Sequence, residues 1–341
     1  SQIDIRQKAI ENGWLLSRDI NDPYYNKTYS YTHFNKLDLN ITVEPFSDLD
    51  IDLRGNKTYT KNTSQQLDVV NNVLNNDSPI TQYGNFSISH NMLKTAFKNS
   101  DANFEEFKAN RAIIAQRLSA TSGQPISGFG DTSQQVSLPA FVAAYSGKDP
   151  NLQKLNILDE LPKVNWRVTY NGLSKIPALK KYFKTVTTST GYTSNLTVGG
   201  YTNNQRYKTS DEVSEELQRQ QLDDIIERDL DSNFIGKYQF NSVTLSEQFS
   251  PLVNVDFQWK NGISTRVEYK TGRTAALNVG TGQIMEQKNK TYTIGAGYSF
   301  PLSLPWSING KKLNLLTYNL CTLCIFSLNY VLYECKLLKY E

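Results

Sequence analysis

The chain has 341 residues, of which 38% are apolar and 11% aromatic, with 20 Tyr and a mean hydropathy of −0.50. So small an apolar share in a chain this long argues against an ordinary enzyme core, which draws more on Leu, Ile, Val and Ala. A formal charge of +3 with no basic run interleaved with aromatics gives no ground for a nucleic-acid partner, and none is expected.

From the N-terminus, SQIDIRQKAI shows no initiator Met, basic region or apolar leader, so the chain is expected to be cut from something longer. Leu37, Leu39, Ile41 and Val43 then alternate with Asp38, Asn40, Thr42 and Glu44. After EPFSD, Leu49, Ile51 and Leu53 alternate with Asp50, Asp52 and Arg54. A period of two flanking a short turn predicts a β-hairpin with one apolar and one polar face.

A long excursion is expected over about 56–164, and it is too long for a bare loop. Within it, Asn103–Leu118 carries an N-cap Asn, a Glu three residues on, and Phe104, Phe107, Ile114 and Leu118 at helical spacing. A helix is predicted there. Alternation returns at Trp166, Val168 and Tyr170 and, past a turn at Ser174–Phe183, at Val186, Tyr192, Leu196 and Val198. A second excursion over about 201–234 contains Asp211–Asp231, with nine acidic and two basic residues, and a helix is expected over Asp211–Leu230.

Another turn is expected at Ser246–Pro251. Val253–Lys270 then reads as a hairpin about Asn261-Gly262, a pair suited to a type I′ turn. Val253, Val255, Phe257, Trp259, Ile263, Val267 and Tyr269 fall on its apolar face, and Asn254, Asp256, Gln258, Arg266 and Glu268 on the polar one. Tyr292, Ile294, Ala296, Tyr298 and Phe300 continue the pattern. Roughly eight strands result, many near the 9 to 11 residues that cross a tilted bilayer path. Short turns alternate with long excursions, as in outer-membrane barrels, with the Asn261-Gly262 turn as an exception to that order.

The tail is different in kind. Leu313–Tyr333 has no charge, as a transmembrane helix would, but it contains three Asn together with Thr and Ser. All three Cys (Cys321, Cys324 and Cys335) also lie within the last 21 residues. Residues 305–341 are expected to be an out-of-frame or truncated end. No metal-ligand spacing, phosphate loop or clustered acid-base set is present, so no enzyme activity, catalytic residue, metal or cofactor is expected.

Six segments carry a family resemblance: Asn12-Gly13-Trp14, Ile41–Leu53, Ser137–Gly147, Trp166–Lys184, Ser246–Leu252 and Arg266–Lys270. In this order they resemble the C-terminal region of the SprA/Sov proteins, outer-membrane translocons of type IX secretion in Bacteroidetes. The likeness runs from the start to about Leu304, where it fails.

The resemblance implies a segment of a large antiparallel transmembrane β-barrel at the bacterial outer membrane and cell surface, with residues 1–304 as barrel wall. It also implies export of folded cargo proteins, a PorV-type barrel as partner and a link to gliding motility. On that reading Val253, Val255, Phe257, Trp259, Ile263, Val267, Tyr269, Tyr292, Tyr298 and Phe300 meet lipid or form an aromatic girdle. Asn254, Asp256, Gln258, Arg266 and Glu268 would face the lumen. The alternative is a soluble all-β surface or binding protein.

Overall fold

The computed structural model describes residues 8, 12–14, 27–70, 73–75, 79–207 and 227–298, and beyond these the backbone of several strand segments. The chain is mainly antiparallel β. Strand β1 (Lys27–Phe46) turns through Ser47-Asp48 into β2 (Leu49–Val70), with Ile41 opposite Leu53 and Val43 opposite Ile51. Short β3 (Val73–Asn75) folds back on the end of β2.

Beyond β2 lies one strand position built from two pieces. Strand β4 (Thr81–Ser89) pairs with residues 57–64 of β2, and β5 (Asn165–Tyr170) pairs with residues 49–54, both running in the same direction. Strand β6 (Phe183–Asn203) pairs with both pieces from the other side. Next come β7 (Tyr238–Phe240), a short partner of β6, then β8 (Ser242–Trp259), β9 (Ile263–Asn278) and β10 (Gln283–Tyr298). The last three pair in order after β6, and the backbone of Cys324–Leu337 pairs with β10.

The gap in the split position is closed by side chains acting as peptide groups. Asn165 accepts from Ser194 N at 2.8 Å and donates to Ser194 O at 3.3 Å, the two bonds a backbone amide would make there. Ser89 Oγ accepts from Asn56 N and donates to Lys163 O, while Lys163 N donates to Ser89 O at 2.8 Å. These bonds supply partners to the backbone groups of Ser194, Asn56, Lys163 and Ser89 at the missing link, as burial away from water requires.

Residues 90–164 leave the sheet through this gap. They fold as α1 (Ser100–Ser122), with the Asn99 side chain accepting from Asp101 N at the cap and Gly123 left-handed at its end, and α2 (Gln134–Ser146). Helix α2 is apolar nearly all round (VSLPAFVAAYS) and every residue from Val136 to Ser146 is buried, the environment such a sequence demands. Phe107, Ile114, Leu138, Phe141, Val142 and Tyr145 form one core with Phe86, Ile88, Leu196, Val198, Val243, Leu245, Ala275 and Leu277 of the sheet.

Several expectations are corrected. The excursion starts at residue 90 rather than 56, because β2 runs on to Val70 and β3 and β4 follow before residue 90; its helix starts at Ser100 rather than Asn103. Ser246–Pro251 is no turn but lies inside β8, where a bulge between Phe249 and Val253 accommodates the proline. The Asn261-Gly262 turn is not type I′: only Gly262 has positive φ (+87°), and a three-residue loop closes with Gly262 N donating to Trp259 O at 3.3 Å.

Nor does that turn break the order of connections. It lies at the same sheet end as Ser47-Asp48 and residues 171–182, while β2 and β6 end at the opposite side, where the short 279–282 turn between β9 and β10 is the exception to the order. In the tail, Cys324–Leu337 is a strand, not a transmembrane helix, and it joins the sheet as one further position. The helix expected at Asp211–Leu230 falls largely outside the described residues; Leu230 itself sits in an exposed turn.

Candidate functional site: a two-storey apolar face

The long strands run for 16 to 22 residues, about twice the expected length. At about 3.3 Å per residue, β2 extends over roughly 70 Å. Side chains alternate, so register alone assigns each to one of two faces. One face carries most of the apolar side chains and is divided into two storeys. Nearer the long connections it is covered by α1, α2 and their linking turns. Nearer the short turns it is bare.

The bare storey contains Leu39, Ile41 and Val43 of β1, opposite Gly55, Leu53 and Ile51 of β2, and Val168 of β5. It continues through Val253, Val255, Val267 and Ile294. Val253, Val267 and Ile294 are 50–59% exposed, which is unusual for aliphatic side chains in a contiguous patch.

Aromatic rings frame this band. Toward the short turns stand Phe46, Tyr170, Phe183, Phe257, Trp259 and Tyr298, with Phe183 and Trp259 ring centres 4.4 Å apart. Toward the helices stand Trp166, Tyr192, Phe249, Tyr269 and Tyr292. Tyr192 lies 4.9 Å from Phe249, and Tyr269 stacks on Tyr292 at 4.7 Å. The rows are separated by six residues on β10 and ten on β8, or roughly 15–25 Å along a barrel axis at 40° tilt.

All nine described residues of the expected lipid-facing set share this face. Val253, Val267, Tyr292 and Tyr298 are exposed, and Val255, Phe257, Trp259, Ile263 and Tyr269 are half-buried. Phe300 lies outside the described residues. The expected lumen set occupies the opposite face and forms a polar ladder. Arg266 Nε reaches Asp256 Oδ1 at 2.5 Å, Asn254 donates to Asp256 at 2.7 Å, and Glu268 pairs with Lys270 at 2.9 Å. Asn254 is buried, Asp256 and Glu268 are half-buried, and Gln258 and Arg266 are exposed.

Between the storeys runs a feature absent from the expectations, a row of charges on the apolar face. Ser194, Glu247, Arg273 and Lys288 pair in register across β6, β8, β9 and β10, with Glu286 diagonal to Arg273. Arg273 Nη2 lies 2.8 Å from Glu247 Oε1 and donates to Thr95 Oγ1 at 2.8 Å and Tyr145 O at 3.3 Å. Lys288 contacts Glu286 at 3.3 Å and donates to Ser100 Oγ at 2.9 Å. Tyr192 Oη bonds Glu247 at 3.2 Å and accepts from Met92 N at 2.8 Å. These bonds tie the helical layer to the sheet. The signal was present in the sequence as charged residues on an apolar phase: Glu247 after Val243 and Leu245, and Arg273 before Ala275 and Leu277.

Among the described residues no cluster of His, Cys, Asp or Glu is arranged to hold a metal, and no helix is long and apolar enough to cross a membrane. No protein-family model matches the chain, and no curated protein is significantly similar to it.

Proposed function

We propose that this chain is an arc of an outer-membrane β-barrel whose bare storey meets lipid and whose polar face lines an aqueous channel. The observation that carries this reading is the position of the bare band: it lies at the short-turn end and is framed by two aromatic rows, its height near that of a barrel's apolar belt. Short turns belong on the periplasmic side and long connections outside, which puts the helical layer on the cell surface. The strands exceed a bilayer crossing because their outer halves serve as its floor.

The resemblance to the SprA/Sov translocons supports a finer reading of type IX export. The channel would pass folded cargo along its polar ladder, with a PorV-type barrel as neighbour. A soluble sandwich is the competing reading, and it leaves Val253, Val267 and Ile294 without a cover. The test is Val267→Arg expressed in a bacterial outer membrane. At mid-bilayer the substitution should cost about 2–4 kcal/mol and lower the inserted fraction, read as loss of heat-modified gel mobility. Equal insertion of variant and parent, or parent chain that stays in solution without detergent, overturns the assignment.

A further inference from the structure

Where the helical layer ends and the bare band begins, a cleft of about 190 Å³ opens between the Ala96–Lys98 turn and strands β8–β10. Four cations, Lys98, Arg273, Lys288 and Lys290, line it against one carboxylate, Glu247. Three of them are engaged: Lys98 pairs with Glu106, Lys288 with Glu286, and Arg273, through Nη2, with Glu247. Arg273 is 3% exposed, yet its Nε and Nη1 make no hydrogen bond, and Nη1 is 4.0 Å from Glu286. Two guanidinium nitrogens buried without a hydrogen-bond acceptor are costly unless an anion satisfies them. Lys290 stands exposed on the same face, one step above Tyr292. Phe97, largely exposed, stacks over Phe249 at 5.6 Å at the apolar side of the cleft.

We propose that this cleft binds the phosphate of a lipid headgroup, with Arg273 and Lys290 as its donors and the acyl chains descending the bare band past Tyr269 and Tyr292. A guanidinium fork suits a phosphate better than a neutral headgroup, and aromatic rings at this level mark the boundary between water and hydrocarbon. The inference rests on the membrane reading for its ligand, but its chemistry is tested without a bilayer. It also gives the buried charge row a role beyond joining helices to sheet, since the row lies at headgroup depth.

The experiment uses the purified full chain in phosphate-free, non-ionic detergent with three probes: dihexanoylphosphatidylglycerol, inorganic phosphate and dihexanoylglycerol. The phospholipid is expected to bind saturably and at least about ten-fold tighter than inorganic phosphate, with no saturable binding of dihexanoylglycerol. Lys290→Glu, an exposed change that leaves the fold intact by heat-modified mobility, should weaken phospholipid binding by about ten-fold or more.

Equal affinity for inorganic phosphate makes this a free-anion site and overturns the lipid assignment, as does equal binding of the phosphate-free lipid. Unchanged binding by Lys290→Glu overturns it as well. A chain that resides in the outer membrane but shows no such selectivity sinks this proposal alone, whereas a chain found in solution sinks the membrane reading.

Discussion

At the scale of single residues, the most informative group is His90, which leaves the sheet at the start of the helical insertion. It is buried, and neither ring nitrogen has a hydrogen-bond partner. Burial lowers its pKa from 6.5 to about 4; Glu160 opposes this, and Lys148 and Lys163 reinforce it. The unfolded chain therefore binds the proton first as pH falls. Stability is constant above about pH 6.5 and declines between there and pH 4, by up to about 3 kcal/mol for a shift of this size. Urea titrations at pH 7.5 and 4.5, followed by the far-ultraviolet signal of the helices, should show this loss. In His90→Leu most of it should vanish, since no hydrogen bond is forfeited. A parallel loss in both proteins would assign the pH response to the carboxylates instead.

At the scale of elements, the split strand is the unusual device, and Asn165 is the residue on which it depends. The amide closes the ladder opposite Ser194 with two bonds; Ser194 O also accepts from His90 N at 2.8 Å, so it is Ser194 N that relies on the amide. Asn165→Ala should strand Ser194 N in a buried position and cost about 1–3 kcal/mol. Hydrogen exchange should quicken at Ser194 and His90 first, and unchanged protection at both would show that the gap is sealed by something else.

None of this could be read from the sequence, because a side chain posing as a peptide group leaves no periodic trace. Period two located the hairpins at Leu37–Leu53 and Val253–Tyr269 and assigned each residue to the right face. It failed over 56–89, where Lys61, Thr63 and Gln65 make the otherwise apolar phase of β2 polar and conceal the strand. It failed again at Pro251, where a bulge preserves alternation across a residue that ordinarily marks a turn. The turn at Lys260–Gly262 was located correctly and its type missed, since Asn-Gly also suits a type I turn followed by a left-handed glycine.

At the scale of the molecule, one face serves two solvents, and the charge row of Glu247, Arg273 and Lys288 marks the division between them. Leu245 and Val255 sit on the same strand and the same face, on either side of Glu247; one is under α2 and the other bare. This makes the helical insertion a removable cover. Ser89 and Lys163 are already hydrogen-bonded, so residues 90–162 can be replaced by a short polar turn without moving either end. The floor would then be uncovered at Phe86, Ile88, Leu196, Val198, Val243, Leu245 and Leu277, each losing roughly 1.5–3 kcal/mol of burial. If the bare storey alone sets membrane residence, the shortened chain should still fractionate with the outer membrane. Its outer half should bind an apolar dye far more strongly and aggregate once detergent is diluted. If instead both storeys belong to one soluble core, removing the helices should abolish the folded sheet, and the shortened chain should show neither membrane residence nor a β-type circular dichroism spectrum.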